Sequence, residues 1–306
     1  MSTTTVRAGR RTVEVHRPGK VLFPADGFTK ADLVDYHRAI APHMVPHLRG
    51  RPLMLERLPD GLDGPRFMQK DTPEHYPDWV RRAELPKEGG TVTHTVCDNT
   101  ATLVHLSDQA CVTLHRWQAK ADRPGHPDRM VFDLDPAEDD FEPVRRTARL
   151  LGELLGELRL PSVLMTTGSR GLHVVVPLSR RHAFDEVREF AKDTADLLAA
   201  SHPDRLTTEA RKAARGDRLY LDVQRNGYAQ TAVAPYSVRA REGAPVATPI
   251  SWDQLDDPEV TARRWNITDA AEQAAADPWA GALRHGRSLG PARRRLDALR
   301  RDGSVG

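Results

Sequence analysis

Arg129-Met130-Val131-Phe132-Asp133-Leu134-Asp135-Pro136 is the stretch on which the reading of this chain turns. Apolar residues run directly into two acids separated by one leucine. A β-strand turns successive side chains to opposite faces, so Met130, Phe132 and Leu134 share one face, and Val131, Asp133 and Asp135 the other. Pro136 has no N–H and ends the ladder. Two carboxylates side by side at a strand end repel unless a cation lies between them. Hard oxygen donors suit magnesium or manganese. The plainer reading is a strand end with two solvated acids.

Downstream, the pattern predicts a helix over about 141–158, with Val144, Ala148, Leu151, Leu154 and Leu155 as its apolar stripe. A strand over 162–166 follows. Thr167-Gly168-Ser169-Arg170-Gly171 then makes a tight glycine loop, and Leu172–Pro177 returns as a strand with His173 and Val175 on one face. Such a loop offers N–H groups and a cation to an oxyanion, although Gly-Ser-x-Gly also makes ordinary hairpin turns. A helix is expected over about 185–200, then a basic stretch, Arg211–Arg215. In Leu219-Tyr220-Leu221-Asp222-Val223, Leu219, Leu221 and Val223 face a core, which turns Asp222 to the other side. A mid-strand carboxylate is costly unless paired, and a third acid joining Asp133 and Asp135 around metal would account for it. Thr231–Arg239 reads as another strand-like segment.

Upstream, residues 1–12 read as a flexible arm, and Val13–His16 alternates like a short strand. Lys20-Val21-Leu22-Phe23-Pro24 leads to a loop. Thr29 and Asp32 form a capping box for a helix that carries Leu33, Tyr36, His37 and Ile40 on one face and ends near Pro46–Gly50. Lys20 and Lys30 flank a helix start, where free N–H groups favour anions. Pro52–Arg57, Phe67–Lys70 and Thr91–Val96 read as strands. Asn99 caps a helix from Thr100 to about Ala110, and Thr113, His115 and Trp117 share a face of an extended segment. The residues from 267 on form an Ala- and Arg-rich extension.

At 306 residues the chain can bury a substantial core. Its net charge of +2, from 45 basic and 43 acidic residues, does not by itself announce a nucleic-acid binder. Arg293-Arg294-Arg295 and Arg300-Arg301 form local clusters of the kind that usually line a solvated helix face. Cys97 and Cys111 lack metal-ligand spacing and read as small buried hydrophobes. No apolar run approaches a membrane span, and the N-terminus lacks a signal-peptide core. The expectation is a cytoplasmic protein.

Three aspartates on strands, a Gly-Ser-Arg-Gly loop, a histidine on the next strand and several arginines form a coherent set. Two carboxylate-held metals activate a hydroxyl nucleophile and steady a leaving pyrophosphate. Here the sequence resembles the polymerase domain of bacterial ligase D, a branch of the archaeo-eukaryotic primase superfamily used in non-homologous end joining. The resemblance rests on Lys20–Pro24 with Thr29-Lys30, Phe67–Lys70, Phe132–Pro136, Thr167–His173, Tyr220–Asp222 and Ala234–Arg239. These occur in family order across about residues 13–255.

The resemblance implies an α+β primase-polymerase fold, with mixed and antiparallel central sheets flanked by helices. It implies an N-terminal α/β subregion over about 13–97 and a catalytic core over about 98–255, within a domain reaching residue 266. By the same resemblance Asp133, Asp135 and Asp222 hold two divalent metals, Mn2+ or Mg2+. Ser169, Arg170 and His173 belong to the nucleotide-binding loop and strand, and His115, Arg215 and Arg239 lie near the incoming triphosphate. Phe67 stacks on the template, Lys20 and Lys30 hold a downstream 5′-phosphate, and Arg57 and Lys70 join the DNA contacts. The implied partners are gapped or broken DNA, nucleoside triphosphates, a Ku-like protein and a separate ligase, with nucleoid association when DNA is bound. No ligase or nuclease module is read in these residues, so a stand-alone form is expected. Arg170 stands where lysine is expected, Met68 where a second aromatic is expected, and Arg225 where some relatives have glutamine near the sugar.

Other classes remain open on the residues alone. Val131–Asp135 also resembles the first motif of haloacid-dehalogenase phosphatases, but Pro136 and Ala137 follow it and no late acid pair is evident. A metal-binding Asp-x-Asp glycosyltransferase is a further reading. A non-catalytic DNA-end-binding repair factor is another, and primer extension separates it from a polymerase.

Overall fold

A computed structural model describes residues 2–302 of the chain. The order is β1 (Thr3–Ala8), β2 (Arg11–His16), β3 (Val21–Phe23), β4 (Phe28–Thr29), α1 (Lys30–Leu48), β5 (Leu53–Arg57), β6 (Phe67–Gln69), β7 (Arg81–Lys87), β8 (Gly90–Val96), α2 (Thr100–Asp108) and β9 (Cys111–Trp117). Then come β10 (Arg129–Asp135), α3 (Glu142–Glu157), β11 (Val163–Thr166), β12 (Leu172–Pro177), α4 (Phe184–Ser201), β13 (Leu206–Thr207), β14 (Leu219–Asp222), β15 (Thr231–Val233), β16 (Pro249–Ile250), α5 (Ala270–Ala275) and α6 (Leu289–Asp302). The expected α+β class is found. The chain divides into two compact units, one of residues up to 124 with 231–248 and 263–277, the other of 125–230 with 249–262 and the residues from 278 on. The break falls near 124 rather than 97, because β9 pairs with β5 and carries α2 with it.

The first unit is built on an antiparallel sheet ordered β15-β9-β5-β6. Residues 1–12, expected as a flexible arm, instead supply β1, which pairs with β2 from Thr3 opposite His16 to Ala8 opposite Arg11. The run of threonines hid this strand, since only Val6 and Ala8 give it an apolar side. β-Branched residues nonetheless suit the pleat, and Gly9 turns the chain at φ +63°. Ala8, Val13 and Val15 pack with Val34, Ala101 and Val104. The capping box is present as expected, with Thr29 donating to and accepting from Asp32.

Lys30 is not a surface cation. It is 4% exposed, and its ammonium donates to the His16 carbonyl at 2.8 Å and to the Asp108 carbonyl and carboxylate at 2.6 and 3.3 Å. Burial works to raise the Asp108 carboxyl, but the His16 amide and the Lys30 ammonium together hold it below its ordinary range. The first N–H groups of α1 are also committed. Lys30 N donates to the Lys20 carbonyl and Ala31 N to the Pro18 carbonyl. The expected pair of phosphate-seeking lysines over free helix donors therefore reduces to Lys20, whose ammonium meets exposed Asp60 at 2.8 Å.

The second unit carries a six-stranded sheet ordered β13-β14-β10-β12-β11-β16, antiparallel except for the parallel pair β13 and β14. Met130, Phe132 and Leu134 are fully buried, and each such side chain contributes about 1.5–3 kcal/mol. Helices α3 and α4 pack on this sheet, α3 through the expected apolar stripe and α4 through Val187, Phe190, Ala191, Ala195 and Leu198. The segment read as a strand over 231–239 stops at Val233. Pro235 offers no N–H and Tyr236 takes φ +65°, so the ladder cannot continue. The supposed C-terminal extension is shared, with α5 in the first unit and α6 in the second.

Lys30→Met should destabilise the fold by about 3–5 kcal/mol, because it removes the buried ammonium paired with the Asp108 carboxylate. Lys20→Ala should leave the unfolding midpoint near that of the unaltered chain. Urea denaturation of the two variants measures the contrast; equal midpoints would remove the structural role assigned to Lys30.

Candidate metal centre and nucleotide site

The centre is set by register. β10 lies between β14 and β12, with Asp133 opposite Asp222 on one side and opposite His173 on the other. Side chains directly across antiparallel strands share a face. One oxygen each from Asp133, Asp135 and Asp222 therefore lies within 4.8 Å of the others, with Asp133 and Asp222 buried and Asp135 partly so. Among the described residues this is the group of acids that fits a metal ion. The all-carboxylate donor set suits a hard divalent cation.

The electrostatics explain why a cation belongs there. Burial, joined by the negative charges of Asp133 and Asp222, raises the Asp135 carboxyl to about 6. Burial also works to raise Asp133, but His173 and Arg225 overcome it and hold that carboxyl at about 2. His173 Nε2 lies 3.3 Å from Asp133 Oδ1. Arg225 Nε donates to Asp133 Oδ2 at 3.3 Å, and its Nη2 lies 3.9 Å from Asp222 Oδ2. Neighbouring carboxyls with opposite displacements mark a site prepared for charge.

Backbone devices hold these groups. Buried Asn226 accepts from the Val131 amide at 2.8 Å and donates to the Val131 carbonyl at 2.7 Å, tying the turn after β14 to the middle of β10. At Gly171 a Cβ would meet the Leu134 carbonyl oxygen at 2.1 Å, so only glycine lets the loop press against β10. Thr167 Oγ1 accepts from Ser169 N and Gly171 N and closes the loop on itself. The Arg215 guanidinium stacks on the Tyr220 ring at 3.7 Å, and the Tyr220 hydroxyl reaches Asp222 Oδ1 at 3.4 Å.

The second unit thus brings together Asp133, Asp135, Asp222 and His173, with the 167–171 loop at the start of β12 and Arg215 against Tyr220 beside Asp222. His115 on β9 and Arg239 belong to the first unit. In that unit Phe67 and Met68 are 52% and 53% exposed on edge strand β6, and Lys70 is exposed beyond it. Arg57 is occupied within the unit, donating to the Gln109 carbonyl at 2.9 Å and to Gln69 Oε1 at 2.8 Å. Sequence reasoning missed the role of Asn226 and the reach of Arg225 to Asp133. The spacing of Arg225 three residues after Asp222 was the available signal.

The profile of the LigD primase-polymerase domain family matches residues 29–279. Multifunctional non-homologous end joining protein LigD of Mycolicibacterium smegmatis is 34% identical over 83% of this chain, and LigD of Pseudomonas aeruginosa 33% over 90%. The polymerase domain of Mycobacterium tuberculosis ligase D, solved in complex with DNA, superposes with a TM-score of 0.82 at 32% identity, covering 94% of this chain and 98% of that one. The chain belongs to the LigD primase-polymerase domain family. It spans about a third of the length of these two LigD relatives, covering 34% and 33% of them. Among the described residues no helix is long and apolar enough to cross a membrane.

Two outcomes follow from the charge balance. A carboxyl raised in the fold opposes folding once it ionises, so Asp135 costs the metal-free chain stability as pH climbs from about 4 to about 6. Asp135→Asn should raise stability in chelator at pH 8 by on the order of 1–2 kcal/mol and remove any rise in melting temperature on adding Mn2+. Arg225→Gln should tighten Mn2+ binding by roughly tenfold, since loss of a charge-assisted contact of about 1.5 kcal/mol frees the carboxylates for metal. Calorimetric titration of the purified variant reads this directly, and weaker binding would refute the competition.

Proposed function

We propose that this chain is a template-dependent nucleotidyltransferase that adds ribo- or deoxyribonucleotides to a primer 3′-hydroxyl at gaps or double-strand-break ends in DNA. The observation that carries this reading is the convergence of Asp133, Asp135 and Asp222 on adjacent strands in a member of the LigD primase-polymerase family. Antiparallel neighbours on both sides of β10, with the third acid coming from β14, support it over a phosphatase built on the Asp133 motif.

Asp133, Asp135 and Asp222 would hold Mn2+ or Mg2+, which would supply charge stabilisation for attack of the primer 3′-hydroxyl on the nucleotide. His173 positions Asp133, to which its imidazole is bonded. From the 167–171 loop, Ser169 and the Arg170 guanidinium serve the triphosphate, and Arg215, His115 and Arg239 add to its binding. Phe67 offers an aromatic ring to template bases, as exposed rings do in single-strand binders. Arg57 supports β6 from behind, and Lys70 meets the DNA backbone. Lys20 senses a downstream 5′-phosphate, while Lys30 holds the adjoining loop to α2. In this reading a Ku-like end-binding protein recruits the chain to breaks in the cytoplasm, and a ligase seals the filled product.

Primer extension on a gapped duplex, with each nucleotide type and with Mn2+ or Mg2+, tests the reading. Asp133→Ala and Asp135→Ala should each abolish addition while leaving the circular dichroism spectrum unchanged. Extension at the unaltered rate by either variant would sink the proposal. DNA binding without extension by the unaltered chain would favour the non-catalytic end-binding factor.

A gap bearing a 5′-phosphate should be filled faster than the same gap with a 5′-hydroxyl, and the difference should shrink as salt rises. Lys20→Glu should erase the preference yet retain slow extension on a plain primer-template. Full discrimination by that variant would make Lys20 an ordinary surface charge.

A further inference from the structure

A groove of about 540 Å3 lies in the second unit, where the end of α3, the segment after β12 and the start of α6 meet. Arg159, Arg181, Arg287 and Arg295 line it, with Ser179 and Ser288, and no acidic residue does. Among the described residues none of the four arginines is joined to a carboxylate. Arg295 donates to the Pro291 carbonyl, and Arg159, Arg181 and Arg287 are exposed.

The opposite side of α6 gives an internal comparison. There Arg293 and Arg300 both pair with Asp193 on α4. On that face the arginines of α6 have a carboxylate partner, and on the groove face Arg295 has none among the described residues. Pro291, Ala292 and Arg295 fall at helical spacing, so α6 turns one face, with Arg295 on it, into the groove.

The groove is also built rather than incidental. Arg287 is clamped to the end of β12 by two backbone bonds, Arg287 N to the Pro177 carbonyl and Ser179 N to the Arg287 carbonyl, each 3.0 Å. A Cβ at Gly286 would lie 2.1 Å from the Leu178 carbonyl oxygen, so only glycine permits this approach. Arg159 takes a left-handed backbone at φ +57°, a conformation that L side chains adopt at a cost.

Four cations without a counter-ion, in a chain of net charge only +2, call for a polyanion. The lining contains no aromatic ring on which a base could stack. Guanidinium forks match phosphate oxygens geometrically, and contacts of this kind position a duplex without reading its sequence. Ser179 lies six residues along from His173, the β12 residue that touches Asp133. At strand rise this is about 20 Å, or roughly six base-pair steps of DNA.

We infer that this groove is a second phosphodiester contact, which holds the backbone of the nucleic-acid substrate about six base pairs from the metal centre. The inference rests on the polymerase reading above. It assigns the groove to the length of DNA engaged, not to chemistry at the primer end.

The test compares the unaltered chain with the triple variant Arg159→Gln, Arg181→Gln, Arg287→Gln. Fluorescence anisotropy is read on gapped duplexes in which each flanking arm is, in turn, about 4 or about 14 base pairs long, over a range of salt. The unaltered chain should bind tighter as one arm is lengthened. The variant should match it on the short substrate but fall about tenfold or more behind on the long one. Its plot of log affinity against log salt should flatten by about two to three units. Equal affinity and equal slope on every substrate would overturn the inference. If the triple variant is unfolded by circular dichroism, the pair Arg159→Gln with Arg181→Gln carries the same test, with a flattening of about two units. Extension of the short gapped substrate by the unaltered chain separates the two ideas. Failure of that extension counts against the polymerase reading, whereas extension with no length effect counts against the groove alone.

Discussion

The second unit is arranged around a repulsion. Asp133, Asp135 and Asp222 bring three carboxylates within 4.8 Å of one another in a largely buried setting. At that separation unscreened like charges cost several kcal/mol at the effective dielectric of a protein interior. The sheet nevertheless imposes the juxtaposition, because antiparallel pairing fixes Asp133 opposite Asp222. A one-residue slip would turn every core residue of β10 outward. The apolar face, Met130, Phe132 and Leu134, thereby locks the acids in place. Hydrophobic burial on one face sustains electrostatic strain on the other.

The elements around β10 follow from that constraint. Asn226 satisfies both backbone groups of Val131, and Gly171 lets the loop lie against the Leu134 carbonyl. His173 and Arg225 each answer part of the negative charge at Asp133. These four restrain the geometry of a site whose own charges would otherwise spread it apart, and a preorganised site of this kind loses little on reorganising when charge arrives.

Much of this was legible in the sequence because it depends on alternation. The faces of β10 and β14, the glycine loop, the Thr29 capping box and the stripe of α3 all follow from local pattern. Tertiary partners were not legible. Lys20 and Lys30 look alike in the sequence, yet one meets solvent and the other is sealed beneath Asp108. Nothing near Lys30 announces an acid 78 residues away. Strand β1 was hidden by its threonines, whose pairing depends on β2 rather than on their own hydrophobicity. The division into units was hidden because residues 231–248 and 263–277 return to the first unit after the chain has entered the second. Periodicity does not encode such returns.

The position of Arg225 joins these points. One guanidinium against three carboxylates leaves net negative charge, consistent with an Asp135 carboxyl raised to about 6 while Asp133 is held at about 2. Glutamine at this position would bring dipoles but no charge. The cluster would then ionise less readily without metal and coordinate more readily with it. Arginine shifts that balance in both directions: it steadies the acids when they are alone, and it competes when a divalent cation approaches. It is partly exposed, so displacing it into water costs less than displacing a buried cation would. The substitution therefore alters the affinity with which the centre is filled while leaving the strand geometry to the hydrophobic face of β10.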